Sequence, residues 1–147
     1  MLEAEQLIED GVQEMDIVMN VGRFKNREFS YVAGELKQII ALAPDSVLVK
    51  VIIELNCLDD SEIADVCSIV IDSGADFLKT GTGWVPGDAN IDRIAHIKDL
   101  TRGKVKVKAA GGIRTREEFD KLLSLGVERF GINLMSALSI VESFNQE

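Results

Sequence analysis

Histidine is almost missing from this chain: His96 is the only one among 147 residues. A metal site built on imidazoles has too few ligands here, and no carboxylate cluster around His96 makes up the deficit. Its setting in IDRIAHIKDL reads as a solvated position on a helix. Cysteine is nearly as scarce. Cys57 and Cys67 are separated by a helical pattern and read as a surface residue and a core filler in a reducing compartment, with no disulfide. Positive charge is short as well, with 16 Lys and Arg against 25 Asp and Glu and a formal net charge of -9. That balance argues against a nucleic-acid partner, so an anionic substrate has to be held locally, by groups such as Lys79, Lys108, Arg114 and backbone amides. No apolar run approaches a membrane span, and the acidic, polar N-terminus does not read as a signal peptide. A cytoplasmic location is the expectation. A dinucleotide fingerprint is also lacking, because the glycines of GTGW at 81–84 do not have the GxGxxG spacing.

What the chain does have is 46% hydrophobic residues, no low-complexity tract, and enough length for one domain, 1–147, with a proper core. Strand and helix patterns alternate along it. Residues 3–10 end a helix, 15–20 form a short apolar strand, and a helix runs from Phe24 or Arg27 to Leu42. That helix carries Phe29, Val32, Leu36, Ile39 and Ile40 on one stripe and stops before Pro44. Residues 47–54 form a β-branched strand, and a helix over about 61–72 is capped by Asp60 or Ser61. The remaining strands are 75–79, 104–109 and 128–131, and the remaining helices about 90–101, 115–125 and 136–144. Thr115 and Glu118 have the spacing of a capping box. Gly11, Gly74 and Gly126 each close a helix just before a strand, which suggests a repeated βα unit. The pattern predicts a parallel α/β sheet of about five strands.

Unusual polar groups sit where those strands end: Asp16 in EMDIVMN, Lys79 in ADFLKTGTG, and Lys106 and Lys108 in KVKVKAAGGIRT. Ligand sites of barrels and open α/β sheets lie at that end. Lys104 and Lys106 read as edge lysines with solvated heads. Lys79 and Lys108 are each followed by small residues that leave space above the sheet. A lysine held there loses hydration, its pKa falls, and its amine becomes a usable nucleophile. Asp16 is either an acid–base group acting through water or a strand aspartate bonded to backbone amides. Thr80 and Thr82 are candidate hydrogen-bonding walls of a site. Gly111 and Gly112 are either an anion cradle leading into a helix or only a tight turn. Lys50 and Glu54 share one strand parity and are a candidate charged pair.

The segments EMDIVMNVG, VKVIIE, ADFLKTGTGW and VKAAGGIRT closely resemble the deoxyribose-phosphate aldolase family of class I aldolases. The resemblance covers nearly the whole chain. It implies the α/β TIM-barrel (β/α)8 fold, present here as a partial barrel, and reversible cleavage of 2-deoxyribose 5-phosphate to acetaldehyde and glyceraldehyde 3-phosphate. It implies no metal and no organic cofactor. Lys79 matches the family's Schiff-base nucleophile, Lys108 the lysine that depresses its pKa, and Asp16 the proton-relay residue. Thr80, Thr82, Gly111 and Gly112 are then the expected substrate and phosphate contacts.

Two departures accompany the resemblance. The family's first strands and helices have no counterpart, which leaves about five of the eight units that close such a barrel. Open edges then predict association, as a homo-oligomer or with a complementing N-terminal half-barrel chain. The usual Thr-Ser-Ser of the last strand is also replaced: Gly131 is followed by Ile132, Asn133, Leu134, Met135 and Ser136, and the serine usual after the Lys-Thr pair is Gly81. A leucine at a phosphate pocket contributes nothing to anion binding and is expected to obstruct it. The alternative function is a catalytically inactive barrel fragment acting as a structural or regulatory partner.

Overall fold

The computed structural model describes residues 1–145. Five strands, β1 (Glu14–Val18), β2 (Leu48–Ile52), β3 (Phe77–Lys79), β4 (Lys106–Ala110) and β5 (Arg129–Gly131), form one sheet in sequential order. Every neighbouring pair is parallel. Parallel neighbours need a crossover, and helices supply it. The helices are α1 (Leu2–Glu9), α2 (Val21–Lys25), α3 (Phe29–Ile40), α4 (Ile63–Ser73), α5 (Ile91–Thr101), α6 (Arg116–Ser124) and α7 (Leu134–Phe144). Sequential order with successive helices in contact, α3 to α4 and so on to α7, is the winding of a barrel wall that has not closed.

Strand parity divides the sheet into two chemically different faces. Val51, Leu78, Val107 and Ala109 point toward the helices and are fully buried among Val32, Leu36, Val66, Val70, Ile94, Ile97 and Leu122. Burying such a side chain contributes about 1.5–3 kcal/mol, so this layer carries the fold. The other parity is mostly charged. Register places Asp16 beside Lys50, Lys50 beside Phe77, Phe77 beside Lys106, Lys79 beside Lys108, and Lys108 beside Arg129. The sheet curves around this face, bringing β5 back toward β1: Arg129 donates to both carboxylate oxygens of Glu14 at 2.7 Å.

Local signals place most elements where the sequence puts them. The Thr115–Glu118 capping box is formed at α6, and Gly11, Gly74 and Gly126 all have positive φ before their strands. Two details differ. The helix expected from Phe24 or Arg27 to Leu42 is α3, which starts at Phe29 nearer the later choice, and Phe24 belongs to the separate α2, because Arg27 between them takes a left-handed φ of 61°. Neither Asp60 nor Ser61 caps α4: a 3-10 turn at Asp60–Glu62 leads into the helix, Asp59 caps that turn in a capping box with Glu62, and Glu62 stands at the N-cap of α4. Cys57 and Cys67 are free thiols, and burial pushes that of Cys67 up to about 12. Among the described residues no helix is long and apolar enough to cross a membrane.

Candidate active site

The charged face becomes a site because β-pleat spacing aligns side chains from different strands. Lys79 ends β3 and Lys108 lies opposite it in β4. Both line a cleft of about 480 Å³ at the carboxyl end of the sheet, with Thr82, Gly111, Gly112 and Arg114. Asp16, three strands from Lys108, sits behind Lys79 and does not line the cleft. Lys79 donates to its Oδ2 at 2.7 Å, and Lys50 donates to its Oδ1 at 2.8 Å. Asp16 is therefore bonded to two ammonium groups, and the backbone-amide alternative is not what forms. Burial pushes its carboxyl up, yet Lys50 and Lys79 outweigh that and hold it below the usual range.

Lys108 has a different balance. Burial, followed by the repulsion of Lys79, lowers its pKa, and the more distant Asp16 only partly offsets this. The two lysines carry like charge on adjacent strands, and Lys79 is the one hydrogen-bonded to the Asp16 carboxylate.

Thr80 and Thr82 serve the backbone. The Thr80 hydroxyl donates to the Ala110 carbonyl at 3.1 Å and accepts from Ala110 N–H at 2.9 Å, riveting β3 to β4. It is buried and does not line the cleft. Thr82 lines it, but its hydroxyl donates to Glu54 at 2.5 Å and accepts from Trp84 N–H at 3.1 Å. Glu54 also accepts from Thr82 N–H at 3.1 Å. The expected Lys50–Glu54 pair does not form, because Lys50 turns to β1 and Glu54 to the loop after β3. Glu54 stands in the left-handed region (φ 51°), and its Oε1 would lie 2.9 Å from a Cβ added at Gly81, so glycine suits that position.

Gly111 and Gly112 line the cleft with φ of 92° and 75°. A Cβ on Gly112 would collide with the Asp88–Ala89 peptide, so the turn after β4 packs backbone to backbone against the loop after β3. Arg114 sits nearby, with Asp88 at 3.9 Å. Asn133 also lines the cleft and caps α7, accepting from Ser136 N–H at 3.0 Å. Leu134, expected to obstruct it, is 71% exposed and does not line it. His96 lies elsewhere, and no group of His, Cys, Asp or Glu among the described residues could hold a metal ion.

Sequence reasoning missed Glu14 and Arg129. Both have the same parity as site residues on their strands, which was the available signal. Lys50 Nζ is 2.7 Å from Glu14, so an alternating chain of charge runs Arg129, Glu14, Lys50, Asp16, Lys79.

The open parallel α/β sheet agrees with the comparisons. A family model described as DeoC/LacD family aldolase matches residues 1–133. The chain belongs to the DeoC/LacD aldolase family. It is 46% identical over 140 residues to the deoxyribose-phosphate aldolase of Sinorhizobium medicae, covering 95% of this chain and 56% of that protein. It is 40% identical over 142 residues to the deoxyribose-phosphate aldolase of Aquifex aeolicus, covering 97% and 64%. The solved structure of the aldolase QR15 superposes with a TM-score of 0.87 at 39% identity, over 99% of this chain and 64% of that one. The chain thus spans between about half and two thirds of the relatives it matches, and within this class I aldolase family it corresponds to five βα units of the barrel.

Proposed function

We propose that this chain carries the Schiff-base site of a deoxyribose-phosphate aldolase, with Lys79 as nucleophile. The observation that carries the reading is the cleft in which Lys79 and Lys108 emerge side by side from adjacent strands, with Asp16 bonded to Lys79. Once its proton has left, the Lys79 amine attacks the aldehyde carbon of 2-deoxyribose 5-phosphate, and loss of water gives an iminium. The carbon–carbon bond then breaks. Its electron pair moves into the iminium to give an enamine, and the hydroxyl proton of the departing glyceraldehyde 3-phosphate passes to a base. Protonation of the enamine and hydrolysis release acetaldehyde and restore Lys79. Lys108, opposite Lys79 in the register and with its pKa depressed by burial, serves as the base, and Asp16, which accepts the Lys79 hydrogen bond, holds that proton until it is needed. The phosphate would rest on the Gly111–Gly112 turn beside Arg114, where backbone and cation offset the lost serine hydroxyls.

The same reading supplies a partner. β1 and β5 are open edges, Val18 is half-exposed on the concave face, and α7 presents Leu134, Leu138 and Val141 on one exposed stripe. These surfaces suit further βα units, on a complementing polypeptide or a second copy of this chain, that extend the wall and shut water out of the site.

Borohydride trapping with acetaldehyde, and then with deoxyribose 5-phosphate, tests the chemistry by peptide mass. A reduced adduct at Lys79, absent in Lys79→Ala, is expected; a folded sample with no adduct there would sink the reading. Sedimentation of the same sample tests the association, which predicts a species larger than one chain.

A further inference from the structure

Lys50 belongs to neither the cleft nor the apolar layer. Its side chain is 3% exposed, an expensive place for an ammonium unless its charge is answered. The answer is two carboxylates of one strand, Glu14 Oε2 at 2.7 Å and Asp16 Oδ1 at 2.8 Å. Glu14 and Asp16 point to the same side of β1, so without a cation between them they would repel each other. Lys50 lies opposite Asp16 in the register and fills that position.

We propose that Lys50 is a positioning residue of this site, fixing the orientation and ionisation of Asp16 so that Oδ2 faces Lys79. The proposal rests on the Schiff-base reading for its consequence in catalysis. By holding Oδ1, Lys50 leaves Oδ2 as the oxygen that meets Lys79 at 2.7 Å. By its charge it keeps the carboxylate ionised. The charged groups around Asp16 come from all five strands: Glu14 beside it, Lys50, Lys79, Lys108, and Arg129, which acts through Glu14. Arg129 donates to both carboxylate oxygens of Glu14 from β5. Burial pushes Lys50 toward its neutral form, but Asp16 and Glu14 reverse this, so it stays a cation.

The test uses the full chain with Lys50→Met, which keeps an unbranched stem and removes the charge, and Lys50→Arg, which restores a charge. One readout is the carboxyl ¹³C titration of Asp16, assigned against Asp16→Asn; it does not depend on turnover. The other is the pH profile of borohydride trapping at Lys79 with acetaldehyde. In Lys50→Met the Asp16 midpoint is expected to rise by about one unit or more. Trapping at neutral pH is expected to fall by about tenfold or more, with half-saturation by acetaldehyde little changed. Lys50→Arg is expected to recover most of both. An Asp16 midpoint in folded Lys50→Met equal to that of the parent would overturn the proposal.

Should Lys50→Met fail to fold, Glu14→Gln decides with the opposite sign. Losing a negative neighbour and a competitor for Lys50 lowers the Asp16 midpoint, and a rise would overturn the proposal. A shifted midpoint in a protein that never traps aldehyde at Lys79 would sink the aldolase reading and leave Lys50 as the group that sets Asp16. Normal trapping with an unshifted midpoint would do the reverse.

Discussion

Arg129 on the last strand and Glu14 on the first hold each other across the concave face, one guanidinium nitrogen lying 2.7 Å from both carboxylate oxygens. Four strand-to-strand steps separate them in the sheet, so only curvature brings them together. Phe77 lies under the bridge, with the guanidinium 4.8 Å from its ring centre and the Lys106 ammonium 5.6 Å away, and is nearly inaccessible although it faces the open side. The bridge and its aromatic floor brace the partial barrel from within.

The bridge predicts an acid-sensitive fold. Hydrogen bonds from Arg129, then Lys50, lower the Glu14 carboxyl from 4.5 to about 2. A depressed carboxyl contributes stability that is fully present above its unfolded value and is lost as pH falls through the folded one. Resistance to urea is expected to weaken from about pH 5 toward pH 2. Glu14→Gln should unfold more easily than the parent at neutral pH, and the two should converge near pH 2. Parallel curves at both pH values would show that the bridge does not brace the sheet.

Asp16→Asn keeps the size of the side chain and removes the charge between Lys50 and Lys79. Lys50 retains Glu14, so the fold should persist. If the proposed aldolase function holds, cleavage of deoxyribose 5-phosphate falls by about 10²–10⁴, in kcat more than in KM. A loss confined to KM would place Asp16 in binding, not proton handling.

Glu54 anchors the loop that follows the candidate nucleophile. Glu54→Ala strands Thr82 and removes hydrogen bonds to a charged acceptor, worth about 1.5–3 kcal/mol. The expected result is a lower melting temperature together with slower trapping at Lys79. Melting unchanged in the variant would mean that the loop holds itself.

Lys108 should modify early as pH rises. Burial and the Lys79 charge lower its pKa, so its neutral amine forms at lower pH than that of an ordinary surface lysine. Timed acetylation read by peptide mass is expected to give Lys108 an early rise in rate, and Asp16→Asn should move it earlier still, because Asp16 favours the charged form. A Lys108 rate rising only at strongly alkaline pH would contradict this.

The sequence by itself determined the βα alternation, the glycine stops, the Thr115–Glu118 cap and the pairing of Lys79 with Lys108. Each is local, set by periodicity, by backbone freedom at one residue, or by a motif at a strand's end. What tertiary structure decided is how those groups are partnered. Register put Lys50 against Asp16 and away from Glu54. The turn of the chain after β2 sent Glu54 to Thr82 and committed both candidate threonine hydroxyls to holding the backbone. Curvature joined Arg129 to Glu14 across 115 positions of sequence. Charge partners over such separations depend on strand order and the bend of the sheet, which no local pattern encodes. That is why the candidate lysines were legible in the sequence, and why the charged groups they are partnered with were not.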